Sequence, residues 1–259
     1  MAKNVKHKLT LRAVLSLLVL FVIIRQGFLG NYENMFMGVL TLILFSIPLI
    51  IDRRLGIDIP PTLEGIILCF IFAAEILGEI NSFYTLIPYW DTMLHTINGF
   101  LMAAIGFALV DIFNRSDNFS MELSPLFVAV VAFCFSMTIG VLWEFFECGM
   151  DLFFAKDMQK DTFVTVINSV ALNPQGLNIV EHVPIESLIV NGEDWLAKYG
   201  GYLDIGLLDT MKDLFVNFIG AVVFSIIGFF YIKGRGQGKF AKKFIPTVKE
   251  NGDNDNTVK

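Results

Sequence analysis

The chain has 259 residues, a net charge of −6 and 55% hydrophobic residues, with a strongly positive mean hydropathy. A water-soluble domain of this size could not bury so much Phe, Leu, Ile and Val, and the acidic balance argues against a nucleic-acid partner. Three cysteines, Cys69, Cys134 and Cys148, lie in or beside apolar stretches without CxxC or zinc-finger spacing, so neither a disulfide framework nor a cysteine metal site is suggested; they read as small apolar packing residues.

Six stretches have the length and apolarity of spanning helices: 11–29, 34–51, 62–80, 91–112, 125–148 and 209–232. The fold class expected is therefore all-α, a polytopic transmembrane helix bundle with about six spans. The first stretch follows the basic run Lys3, Lys6, Lys8 and Arg12. It is succeeded by Arg25, Gln26, Gly27 and Phe28 with no small-x-small pattern, which reads as an uncleaved first span, not a signal peptide. Basic residues alternate between the gaps: the N-terminal run, Arg53–Arg54, Arg115 and the tail from Lys233 to Lys243 are rich in them, whereas 30–33 and 81–90 have none. By the positive-inside rule both termini face the cytoplasm, and a multi-pass protein of the cell (plasma) membrane is expected. Tyr84, Tyr89 and Trp90 fit an outer interfacial belt.

Residues 1–232 form the expected transmembrane domain. Its segment 152–208 is too long for an ordinary connection and is expected to be an ordered external cap with some short helix or strand. It contains the apolar stretches 164–172 and 179–190 and an aromatic region at 195–202. Residues 233–259 read as a cytoplasmic tail, basic and then polar and disordered from 250.

The chemistry concentrates in the last three spans. The fourth carries Asp91, His95 and Asn98; the fifth Glu144, Glu147 and Asp151; the sixth Asp209, Asp213 and Asn217. Spacings of three and four place each set along one helical face. At about 1.5 Å per residue, and with the spans alternating in direction, three tiers match in depth: Asp91, Asp151 and Asp209; then His95, Glu147 and Asp213; then Asn98, Glu144 and Asn217. Carboxylates inside a membrane are costly, and when crowded they hold a proton or a cation. One imidazole among carboxylates suits Zn, Mn, Fe or Mg. The expected metal ligands are Asp91, His95, Glu147 and Asp213, with Glu144 as catalytic base. Asn98, Asn217, Asp151, Asp209 and Arg25 are expected to orient ligands or touch substrate. The plainer alternative is that the outermost tier is solvated helix ends. Arg25 either snorkels to the surface or clamps an anion such as a lipid phosphate. Glu75 and Glu79 either join the cluster or face the cap. Glu64 and Asp111 read as interfacial, and Gly99, Gly140, Gly220 and Gly228 as permitting close helix packing.

The runs Trp90-Asp91-Thr92-Met93-Leu94-His95, Trp143-Glu144-Phe145-Phe146-Glu147 and Asp209-Thr210-Met211-Lys212-Asp213, followed by Asn217-Phe218-Ile219-Gly220-Ala221, resemble the YjdF-type family of bacterial inner-membrane proteins from the third span onward. A looser similarity exists to VanZ-like proteins, from which this longer chain departs by its cap. The resemblance implies a bacterial inner-membrane protein whose motif residues act as a unit; it implies no substrate. Three functions are expected to compete. The first is a metal-dependent hydrolase or transferase acting at the outer leaflet on a lipid or lipid-linked envelope precursor. The others are a cation or proton-coupled transporter and a non-catalytic membrane scaffold. Membrane lipids are the expected partners; no protein partner is indicated.

Overall fold

The computed structural model describes residues 2–54, 57–114, 123–234 and 240–248. The Arg115 turn and the terminal segment from 250 lie outside these residues, as do the side chains of Lys3, Lys6, Lys8 and Asp111. Nine α-helices appear among the described residues: α1 Ala2–Phe28, α2 Tyr32–Leu44, α3 Ile47–Arg54, α4 Pro61–Ile71, α5 Phe83–Leu86, α6 Trp90–Asn114, α7 Pro125–Phe154, α8 Trp195–Tyr199 and α9 Leu207–Lys233. Eight short strands pair antiparallel, two by two. They are β1 Ile57–Asp58 with β8 Thr247–Val248, β2 Phe163–Val164 with β7 Tyr202–Leu203, β3 Val166–Ser169 with β4 Glu181–Pro184, and β5 Ile189–Val190 with β6 Glu193–Asp194.

The chain is a helical membrane protein. Five helical stretches among the described residues are long and apolar enough to cross a bilayer: Thr10–Phe28, Tyr32–Arg54, Trp90–Val110, Pro125–Phe154 and Leu207–Lys233. The expected third span is helical throughout, but it carries Glu64, Glu75 and Glu79, and beyond Ile71 it continues as a π-helix, Phe72–Ile80. The expected second span is broken between α2 and α3 at Phe45 and Ser46. Pro48 explains the break: it has no N–H to give to the carbonyl four residues back, and its ring collides with that turn. The Ser46 hydroxyl donates to the Ile43 carbonyl at 2.5 Å, tying off the end of α2. The expected fifth span, α7, runs to Phe154, past its expected end at 148.

The chain divides into two compact units, residues 1–140 with 215–259, and residues 141–214. The first unit has two main packing centres. In one, Leu15 and Val19 of α1 meet Phe45, Leu68, Ile76 and Ile80. In the other, Ala103, Ala104 and Phe107 of α6 meet Val128 and Ala132 of α7 and Ala221 and Phe224 of α9. Alanines at such crossings let helix backbones approach closely, which matters where lipid removes the ordinary hydrophobic driving force. The three cysteines are free, and Cys69 and Cys134 lie on exposed faces, not in the packed interior expected of them.

An ion pair crosses from α1 to α4. Arg12 Nη2 donates to Glu64 Oε1 at 2.6 Å, with side chains only 13% and 9% exposed. Arg12 therefore does more than mark a basic flank, and Glu64 is buried. Leaving one such charge buried alone costs roughly 3 kcal/mol or more, whereas replacing both with apolar residues is close to neutral. Glu64→Leu is expected to lower the apparent melting temperature in detergent by several degrees, and Arg12→Met combined with Glu64→Leu to recover most of it. Equal loss in the single and double variants would contradict this account.

The second unit is the segment from the last turns of α7 to the first turns of α9. Its strands form three antiparallel pairs, β2 and β7 joining the two ends of the segment with β3–β4 and β5–β6 between them in sequence, and the Phe163 ring stacks on Tyr199, which in turn meets Trp195 edge-on. The segment expected as an ordered external cap thus has short strands and a helix.

Candidate functional site

In the first unit, α6 carries Asp91, His95 and Asn98 down one face. Asp91 Oδ1 lies 3.4 Å from His95 Nε2, one turn apart. His95 is buried. A carboxylate against an imidazole nitrogen fixes the ring's orientation, which suits a proton-transfer or ligand role.

A turn deeper, three helices are tied by a polar knot. Asn98 Nδ2 donates to Asn217 Oδ1 at 3.2 Å. Asn217 Nδ2 donates to the Ser136 carbonyl at 3.5 Å and approaches the Met137 sulfur at 3.7 Å. Ser136 Oγ donates to the Gly99 carbonyl at 2.8 Å. Asn217 and Ser136 are fully buried. The glycines make room for this: a β-carbon on Gly99 would stand 2.0 Å from the Asn217 carbonyl oxygen, and one on Gly220 would stand 2.1 Å from the Thr96 carbonyl oxygen. The packing role expected for these glycines holds. Asn98 and Asn217 are joined to each other, an arrangement their tier position alone did not reveal. Ser136 was missed, because a single Ser in an apolar helix carries no pattern.

In the second unit, the end of α7 presents Glu144 and Glu147, each with a carboxylate oxygen within 4.8 Å of the other. Both are buried. Trp143 Nε1 donates to Glu147 Oε1 at 2.7 Å and holds that carboxylate in place. Asp213 on α9 is almost fully buried, with Lys212 Nζ 3.6 Å from its Oδ1. Lys212 also donates to Asp209 Oδ1 at 2.6 Å. Trp143 and Lys212 were missed as participants. Their signals were Trp143 four residues before Glu147 and Lys212 three residues after Asp209.

The outermost aspartates hold the loop. Asp151 accepts from the backbone N–H groups of Met158 at 2.6 Å and Gln159 at 2.9 Å. Asp209 Oδ2 accepts from the Lys160 N–H at 2.8 Å, and Gln159 Nε2 donates to Thr210 Oγ1 at 2.5 Å. Asp204 accepts from the Thr162 and Leu208 N–H groups. Carboxylates take such charge-assisted bonds strongly. Partial burial, followed by the nearby charges of Asp157, Asp204 and Asp151, pushes the Asp161 carboxyl above the usual range, against a lowering hydrogen bond from Gly206. The rim thus gathers several carboxylates, with Lys160 and Lys212 paired among them. Asp209→Ala is expected to release the Lys160 N–H from its acceptor and to speed amide exchange at 158–162 at least tenfold, with little change on α6. Unchanged exchange at 158–162 would refute the staple.

Arg25 is exposed near the end of α1. Glu75 and Glu79 sit on the π-helix, where Asn81 Nδ2 caps the Ile76 carbonyl at 2.6 Å; Glu75 is partly buried and Glu79 exposed.

No curated protein and no solved structure matches the chain. A family model does, over residues 8–234, in agreement with the YjdF-type resemblance of its motifs. With its apolar spanning helices and the motif residues set along them, the chain belongs to the family described as "Predicted membrane protein (DUF2238)".

Proposed function

We propose that this membrane protein is a metal-dependent enzyme, a hydrolase or transferase acting on a lipid or lipid-linked envelope precursor. Its site lies near the outer leaflet of the bacterial plasma membrane, with both termini in the cytoplasm. Asp91, His95, Glu147 and Asp213 are the proposed ligands of a divalent ion (Zn, Mn, Fe or Mg), and Glu144 is the proposed base. The observation that carries this reading is the buried Glu144–Glu147 pair. Two carboxylates that close, away from water, need a proton or a cation between them and their neighbours. The Asp91–His95 pair supports a cation. Such an ion supplies Lewis acidity and an activated water. Beside such an ion Glu144 would serve as the base, Trp143 keeps Glu147 oriented, and the neighbouring carboxylates would favour a cation. Arg25 is the proposed contact for an anionic headgroup, and the positive-inside distribution of basic residues supports the orientation.

The test is a divalent-ion titration of chelator-stripped protein, read as apparent melting temperature. The wild type is expected to gain about 5 °C or more with a preferred ion, because binding to the native state stabilises it by RT ln(1 + [L]/Kd). His95→Ala and Asp213→Asn are expected to lose the gain. No ion raising the wild type would refute the metal.

A second reading, a non-catalytic scaffold, is favoured by the Asn98–Asn217–Ser136 knot, which is helix glue of the kind expected inside a membrane. It requires His95→Ala to destabilise the stripped protein as much as Asn217→Ala does.

A further inference from the structure

The β3–β4 hairpin is built unlike the rest of its loop. Residues 162–180 contain no Asp, Glu, Lys, Arg or His, although acidic residues dominate the loop as a whole. Beyond the paired strands, where Ser169 faces Glu181, the tip carries Val170, Leu172, Leu177, Ile179 and Val180, all between 42% and 59% exposed. Isolated apolar residues on a surface need no explanation, but five exposed apolar side chains within a charge-free tip mark a contact surface.

Part of the tip's backbone is tied to side chains of the hairpin. Asn173 is its one buried residue. Its Oδ1 accepts from the N–H groups of Gln175 at 3.1 Å and Leu177 at 3.0 Å, and its Nδ2 donates to Glu181 Oε1 at 2.7 Å. Its own N–H bonds the Val170 carbonyl, and its carbonyl accepts from Gly176. Ser169 Oγ accepts from the Ala171 N–H. Gly176 takes φ +67°, the left-handed conformation that closes the turn. Tying backbone groups inward and apolar side chains outward is what entry into a membrane interface requires, since each unsatisfied group there is costly.

We infer that the 170–180 tip is a membrane-dipping hairpin that seats Leu177, Ile179 and Val180 among the lipid headgroups and upper acyl chains. Lipid is favoured over a protein partner because the unit that holds the hairpin also holds the ends of two spanning helices, α7 and α9. Phe153, Phe154 and Leu207 at those ends are exposed and apolar, so a bilayer surface adjoins this unit by covalent connection. A charge-free tip also avoids the desolvation that a charged one would suffer there. This inference does not depend on the metal site.

The test uses the full-length chain, with Cys69, Cys134 and Cys148 replaced by alanine, reconstituted in phosphatidylcholine vesicles. A nitroxide is placed at Ile179→Cys, with Leu177→Cys as a second probe and the exposed Glu186→Cys as the aqueous control. Collision with oxygen relative to a water-soluble nickel chelate is expected to be at least fivefold higher at 177 and 179 than at 186. Nickel access equal to that at 186 would overturn the inference, as would protection from both agents, which would point to a protein surface over the tip. All three sites are exposed, so unchanged melting temperatures confirm that the labelled proteins are folded.

Discussion

Gly99→Ala is expected to be among the most damaging single substitutions in the chain, even though it adds one methyl group. The new β-carbon would fall 2.0 Å from the Asn217 carbonyl oxygen, 2.8 Å from its carbonyl carbon and 2.9 Å from its Cα. All three are backbone atoms of a helix, so no rotamer change relieves the clash and α9 must move away from α6. The move stretches the Asn98–Asn217 bond, already at 3.2 Å, and the Ser136 bond to the Gly99 carbonyl. Overpacking costs about 1–3 kcal/mol where side chains absorb it; rigid backbone contact and a lost buried hydrogen bond place this case at the upper end or beyond. Loss of most folded protein in detergent is the expected outcome, measured by size-exclusion yield. Gly220→Ala, facing the Thr96 carbonyl oxygen at 2.1 Å, is expected to behave alike. By contrast, Gly30→Ala meets no atom within 4 Å and costs only the strain of its positive φ. Wild-type yield for Gly99→Ala would show that α6 and α9 are not packed this closely.

Glu144→Gln is expected to change sign with the metal. Two carboxylates with oxygens within 4.8 Å repel by roughly 3 kcal/mol at an effective dielectric of 20. A shared proton reduces that figure. Removing one charge while keeping the side chain's shape therefore stabilises the stripped protein, by about 1 kcal/mol or more. In the presence of the preferred ion the same substitution removes part of the negative charge that holds it, so the melting temperature gained on metal addition shrinks. It also removes the proposed base, so turnover on a lipid substrate is lost even at saturating metal. A scaffold makes no such inversion: Glu144→Gln would then shift stability equally with and without metal.

The spanning helices were legible because length and apolarity decide them locally. Their interruptions were not. Pro48 breaks the second span, yet a proline within an apolar run is tolerated often enough in membranes to carry little weight. The π-helix at Phe72–Ile80 adds one residue per turn, which apolar periodicity does not register. In the polar tiers, three- and four-residue spacing correctly set Asp91 beside His95 and Glu144 beside Glu147. Depth alone could not separate the roles within a tier. Asp151 and Asp209 bind loop N–H groups, a partnership fixed by how the chain returns from Lys156 to Lys160. Lys212 and Trp143 stood in the motif runs without a role, whereas each donates to a carboxylate.

A bound divalent ion is detected most directly by elemental analysis of the purified full-length protein. The protein should be produced in media supplemented in turn with zinc, manganese, iron and magnesium. About one ion per chain of a single preferred metal is expected in the wild type, falling below a tenth of that in His95→Ala and Asp213→Asn preparations that remain folded. A wild type without stoichiometric metal under every supply would contradict the account.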